Sequence, residues 1–220
     1  MLGAVVAHAR AAGLLVIADG KRGDIDVTAG AYAASLFGGL ETAFGRVTGL
    51  EADLVTVNPL MGRDAIVPFV EAARAAGAGV LLLVRTSNPG AVDIEDLALE
   101  RGGTVWEHIA ALVDALGVEG VGAAGLSDVG AVFGATAPWH LERARELMPR
   151  APFLLPGIGA QGGRVEDQRA AFAPGPAGGL VSASRSIAGA HLAAGGTPQH
   201  AAREEAERLR EAAWALSAVR

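Results

Sequence analysis

Six short apolar runs punctuate the chain, at residues 14–18, 54–57, 80–84, 118–123, 153–155 and 180–183. Each is rich in Val, Leu, Ile or Ala, lacks alternation and is bounded by Gly, Pro, Ser or Asp. That is the pattern of a strand buried on both faces. Between the runs lie Ala-rich stretches with apolar residues three and four apart, such as 67–76, 105–116 and 140–147, which predict helices. The runs recur every 33 residues or so, and a (β/α)8 barrel of about 250 residues has about 31 per unit. The predicted fold is therefore α/β, a (β/α)8 TIM barrel with about six of its eight βα units in this chain, forming one domain over 1–220. Residues 2–12 read as a helix stopped at Gly13, with no strand before it. An open, doubly wound six-stranded sheet is the alternative, but no Gly-rich dinucleotide fingerprint follows the first strand. The tail, about 199–220, predicts an amphipathic helix with Ala202, Ala206, Leu209, Ala213 and Leu216 on one face. Packing on the outside of the domain is the plain reading of that helix, and partner binding is the other.

Composition narrows the function. With 51% hydrophobic and 19% charged residues, the chain has the apolar surface that a disordered sequence lacks. A net charge of -6 argues against a nucleic-acid partner or a membrane surface. Zero Cys removes disulfides, zinc ribbons, iron–sulfur clusters and cysteine nucleophiles. The longest uncharged apolar run, 75–84, is far shorter than the ~20 residues a bilayer span needs. The N-terminal stretch imitates a signal peptide, but its charges sit mid-segment and it runs into Asp19-Gly-Lys21. The cytoplasm is the expected location. Among 18 cationic residues only Lys21 is lysine; the rest are Arg, which stays protonated and cannot pass a proton near neutral pH.

The candidate chemistry clusters where barrel strands end. The first run leads into Asp19-Gly-Lys21-Arg-Gly-Asp24-Ile-Asp-Val-Thr28. On an extended segment Asp19 and Lys21 project to the same side, and flanking carboxylates would hold the ammonium charged and fixed. A substrate anion beside Asp19 would be repelled, and Lys21 could deliver a proton. The last two runs end in Pro156-Gly-Ile-Gly-Ala-Gln161-Gly-Gly163 and Ser184-Arg185-Ser186-Ile187. Loop amides, the Gln161 side chain and the Arg185 fork suit a phosphate there. Ser87 and Asn88, after the third run, read equally as contacts to a polar ring or as turn and cap residues. Asn58-Pro59 is in the same position. Five histidines without ligand spacing suggest no metal site.

Taken in order, Asp19-x-Lys21-x-x-Asp24-Ile25-x-x-Thr28, Thr56-Val-Asn-Pro59, Thr86-Ser-Asn-Pro-Gly90, the 156–163 loop and Ser184-Arg-Ser-Ile187 resemble the orotidine 5'-phosphate decarboxylases. The resemblance is closest to a bacterial subgroup with a long C-terminal helix, and D-x-K-x-x-D alone is shared with related sugar-phosphate decarboxylases. It implies a cofactor-free lyase that converts orotidine 5'-phosphate to UMP and carbon dioxide, the last step of pyrimidine synthesis. By this resemblance Asp19 faces the substrate carboxylate and Lys21 protonates C6. Ser87 binds the pyrimidine, Gln161 and Arg185 bind the phosphate, and no metal takes part. Asp24 and Thr28 then serve the other subunit's site, so a homodimer is implied. The family also carries a ribose-binding Asp and a second Lys on its first two barrel strands. Neither is found in this chain, which is therefore expected to be a shortened version of a longer enzyme and impaired when alone. The competing expectations are a fragment that only binds nucleotide phosphate and a related sugar-phosphate decarboxylase or aldolase.

Overall fold

A computed structural model describes residues 1–218. Six parallel strands form one curled sheet: β1 (Ile17–Arg22), β4 (Leu54–Val57), β5 (Gly79–Arg85), β6 (Val129–Phe133), β7 (Phe153–Pro156) and β8 (Gly179–Ser182), side by side in chain order. Sequential neighbours joined by crossovers are the signature of βα units, so the sheet is most of a barrel wall rather than a doubly wound sheet. Its outer face packs against α2 (Asp26–Phe37), α3 (Arg63–Ala75), α5 (Val105–Gly117) and α6 (Leu141–Leu147). Val55, Val57, Leu82, Val84, Phe133, Phe153 and Leu155 from the strands meet Phe37, Ile66, Phe69, Trp106 and Leu141 from the helices. The concave face holds a second, smaller cluster of Leu81, Val132 and Leu154 with Ile17, Leu54, Leu83 and Leu180 around it. Burial on both faces is why these strands read as unalternating apolar runs.

Local signals place the ends of the elements. Thr104 caps α5 with a reciprocal capping box, its hydroxyl on the Glu107 amide and the Glu107 carboxylate on the Thr104 amide. Gly62, at φ +96°, starts α3 four residues earlier than the apolar spacing predicts. The last long helix, α9 (Pro198–Ala218), follows the short α7 (Ser184–Ala188) and α8 (Ala190–Ala194). Its buried Leu209 and Ala201 face the domain, so it packs on the outside. The predicted helix ran to 220, and residues 219 and 220 lie outside the described residues.

Two strand assignments need correction. Residues 118–123 are not a strand. Val118–Gly120 is a 3-10 turn, and Val121 makes only an isolated antiparallel bridge to Ser127 across a Gly122–Gly125 turn. Four glycines in 117–125 favour turns, and the strand is the next apolar run, Val129–Phe133. It reads weakly because Gly130 and Ala131 dilute it. Gly130 is nonetheless required, since a Cβ there would meet the Pro152 carbonyl and Leu81. The first strand also lies three residues later than predicted. Leu14 and Leu15 are exposed, and the strand carries Asp19 and Lys21 within it. The helix predicted at the N-terminus is α1 (Leu2–Ala11), and a small hairpin, β2 (Leu40–Thr42) with β3 (Gly45–Val47), and the one-turn α4 (Ala91–Ile94) lie between the larger elements.

Candidate active site

The polar residues converge at the C-terminal ends of the strands. β1 and β4 run in register through Ile17–Leu54 and Ala18–Val55, then rejoin at Arg22–Val57. Four residue steps of β1 thus face two of β4, and the surplus is a bulge containing Asp19, Gly20 and Lys21. Bulges re-aim side chains near sites, and here Lys21 is pushed to φ +47°, a left-handed conformation rare for a residue other than Gly, Asn or Asp. Lys21 Nζ donates to Asp19 Oδ1 at 2.6 Å. Thr56, fully buried in β4, donates its hydroxyl to the same Asp19 oxygen at 2.9 Å and accepts the Lys21 amide at 2.9 Å. Asp19 and Lys21 are about half exposed (54% and 49%), so the pair adds little stability. Its consequence is orientation.

A second group forms where β5, β6 and β7 end. Ser87 Oγ donates to Gln161 Oε1 at 3.1 Å, and Thr136 Oγ1 donates to the Ser87 carbonyl at 3.1 Å. With its oxygen accepting from Ser87, the Gln161 amide keeps its N–H groups for a ligand. The Ser87 loop is anchored from below. Buried Arg85 makes a two-pronged bond to Asp96, 3.1 and 2.9 Å, and Glu95 accepts from the Thr86 amide at 2.8 Å. His140, sandwiched by Trp106 and Trp139, has its pKa lowered by burial and then by the Arg85 charge.

The 157–163 loop turns through left-handed glycines, Gly157, Gly159 and Gly162, and Gly159 packs against Ser186 at the start of α7. That contact brings the Gln161 loop beside the turn bearing Arg185, which is exposed and makes no ion pair among the described residues. Asp24 and Thr28 are not drawn into the Lys21 group. Asp24 accepts from the Ile25 amide, and Thr28 is exposed in the first turn of α2. A cavity of about 670 Å3 opens beside Asp19, Ser182, Ser184 and Ile187, with Arg210 and Trp214 of α9 on its far wall. No group of three or more His, Asp or Glu side chains able to hold a metal occurs among the described residues. Thr56, Thr136 and the Arg85–Asp96 pair have no predicted role. A threonine inside an otherwise apolar buried strand is the one signal that could have marked Thr56.

A parallel βα wall with an ammonium–carboxylate pair at one strand end and a glycine loop at another is the layout of part of a (β/α)8 barrel, the fold that carries its functional groups at the C-terminal ends of its strands. Comparison with known families makes this specific: residues 3–204 match the orotidine 5'-phosphate decarboxylase / HUMPS family, and the chain belongs to that family. An orotidine 5'-phosphate decarboxylase of Rhodopirellula baltica is 45% identical over 193 residues, 86% of this chain and 62% of the relative. One from Deinococcus radiodurans is 44% identical over 212 residues, 96% of this chain and 71% of the relative. The structure of the Leishmania donovani OMP decarboxylase superposes with a TM-score of 0.72 at 32% identity, covering 97% of this chain and 74% of that one. The chain thus spans about two thirds of the length of these relatives.

Proposed function

We propose that this chain carries the decarboxylation of orotidine 5'-phosphate to UMP and carbon dioxide. The observation that carries the reading is the Lys21 ammonium, held 2.6 Å from Asp19 at the end of a barrel strand. The bond from C6 to the carboxylate breaks, its electron pair remains at C6, and Lys21 Nζ delivers the proton that quenches it. An ammonium fixed before the reaction stabilises the developing charge without reorganisation. Asp19 places a carboxylate against the leaving carboxylate. Ser87 would hold the pyrimidine, while Gln161 and Arg185 take the phosphate, whose remote binding energy supports closure of the loops. No cofactor is required by this chemistry.

The active form in this reading is a homodimer in the cytoplasm, with Asp24 and Thr28 reaching the partner's site. Two features support that arrangement. Neither side chain serves the Lys21 group of its own chain, and both stand beside the exposed apolar Ile25 and Val27, the latter 79% exposed. Among the described residues no helix is long and apolar enough to cross a membrane.

The test is the loss of orotidine 5'-phosphate absorbance on adding the purified chain, with Lys21→Ala beside it. Turnover abolished in the variant supports the reading, and equal turnover in both would refute it. A second reading, nucleotide binding with little turnover, is favoured by Lys21 being the only lysine where the family resemblance implies two. UMP binding by calorimetry without substrate loss would select it.

A further inference from the structure

The bulge in β1 creates a backbone problem that the sheet does not solve. In a parallel ladder the Lys21 amide would donate to a carbonyl of β4. Two surplus residues break that ladder between Ala18 and Arg22, and Lys21 sits at φ +47°, a conformation that persists only where surroundings enforce it. The Thr56 hydroxyl takes the carbonyl's place, accepting the Lys21 amide at 2.9 Å. Its own proton goes to Asp19 Oδ1, the oxygen that receives the Lys21 ammonium. One buried hydroxyl therefore holds both ends of the lysine: the backbone directly, and the side chain through Asp19. The strands close again just beyond it, where the Asn58 amide donates to the Arg22 carbonyl.

We propose that Thr56 is a positioning residue whose hydroxyl locks Lys21 in its left-handed conformation and aims its ammonium through Asp19. The lock is a property of the fold, and its kinetic consequence rests on the decarboxylase reading. A valine keeps the shape of Thr56 and loses both bonds, whereas a serine keeps both.

Because the chain has a single lysine, labelling with 15N-lysine gives one backbone amide signal, that of Lys21. In Thr56→Val this signal shifts and its exchange with water accelerates roughly fivefold, the usual worth of one hydrogen bond. In Thr56→Ser it stays within about twofold of the wild type. Turnover of orotidine 5'-phosphate in Thr56→Val falls between about ten- and a hundredfold in kcat, with KM little changed, because a misplaced proton donor costs rate rather than binding. Thr56→Ser restores it. An unmoved amide signal in Thr56→Val overturns the lock, and an unchanged kcat overturns its role in positioning. If the amide responds but wild-type protein shows no turnover, the decarboxylase reading fails and the lock stands. Should Thr56→Val not fold, the wild type alone decides: a Lys21 amide exchanging as fast as in a free peptide refutes the lock.

Discussion

Arg145 offers the sharpest test of what holds the ends of β7 and β8 in place. Its side chain is buried beneath β7 and β8, and all five of its N–H groups reach backbone carbonyls. Nη1 donates to Met148 and Ala151 at 2.8 and 2.7 Å, Nη2 to Ala171 and Gly178 at 2.7 and 3.2 Å, and Nε to Ala170 at 3.3 Å. The guanidinium carbon lies 3.7 Å from the centre of the Phe153 ring. No carboxylate pairs with it among the described residues. Hydrogen bonds to a charged group contribute about 1.5–3 kcal/mol each, but burying an ion costs several kcal/mol. That cost shows in the pKa, which burial lowers to about 10, still charged at neutral pH. Arg145→Met strands carbonyls from the end of α6, the approach to β7 and both turns before β8. Each buried acceptor left without a donor costs about 1–3 kcal/mol, and no longer burying the ion offsets part of the sum, for a net loss of about 3–5 kcal/mol. For a domain of this size each kcal/mol moves Tm by about 2–4 °C, so a fall of roughly 10 °C follows. Arg145→Lys, which keeps the charge but not the planar fork, should fall between. Below pH 10 both folded and unfolded chains carry the charge, so the deficit is flat across neutral pH. Above about pH 10 the unfolded chain keeps a proton that the folded chain loses, so the wild type gains stability relative to Arg145→Met as the pH rises. Thermal melts of the three proteins by circular dichroism decide the matter. A Tm for Arg145→Met equal to or above wild type would mean that desolvation outweighs the five bonds.

Three further outcomes are expected. His140 has a lowered folded pKa, so its contribution to stability is full above pH 6.5 and is lost as pH falls through the lower folded value. The Tm difference between pH 7.5 and 5.5 should therefore shrink in His140→Gln, and an unchanged difference would discard the assignment. Gly134→Ala puts a Cβ 2.7 Å from the Ser87 Cα and 2.8 Å from its nitrogen, so the Ser87 loop must move. Overpacking there costs about 1–3 kcal/mol, and substrate KM rises with it; a KM equal to wild type would show that the loop position is immaterial. Mixing Lys21→Ala with Asp24→Asn tests the shared site. Each variant is inactive alone, and hybrid dimers with one intact site return roughly a quarter of wild-type activity after subunit exchange. No recovery despite hybrid formation by mass spectrometry would place Asp24 in its own subunit's site.

Much of this architecture is legible in the chain, for reasons that also explain the failures. Strands buried on both faces carry no periodicity, so they are found as apolar runs with punctuation. Residues 54–57, 80–84, 153–155 and 180–183 all satisfy that rule and all lie in strands except Ala183, which caps the helix that follows β8. At 118–123 the rule fails because valine among glycines looks apolar while the glycines favour a turn. Asp128 then makes the turn useful. It pairs with Arg74 at 2.7 Å while its amide donates to the Gly120 carbonyl, tying the turn to α3. Such a long-range ion pair has no local signature. Helices were easier, since α5 announces itself through both its apolar stripe and its Thr104–Glu107 box.

The candidate site divides along the same line. Asp19, Lys21, Ser87, Gln161 and Arg185 are visible because their types are unusual for where they fall, at the ends of apolar runs. What sequence cannot display is register. Asp19 and Lys21 were expected to share a side because extended residues two apart do so, yet the strand bulges just there, and a left-handed lysine replaces the regular pleat. The two side chains still meet directly, at 2.6 Å, but a buried threonine on the neighbouring strand, rather than strand geometry, holds them there. The Ser87–Gln161 bond likewise joins residues 74 apart, and depends on Gly134 and Gly157 letting two loops approach. Polar groups that only support others sit inside apolar strands or loops whose partners are set by register. Their roles become readable only when the strands are placed side by side: the sequence marks Thr56 as a hydroxyl in an otherwise apolar strand, and only the register shows that it meets Lys21 and Asp19.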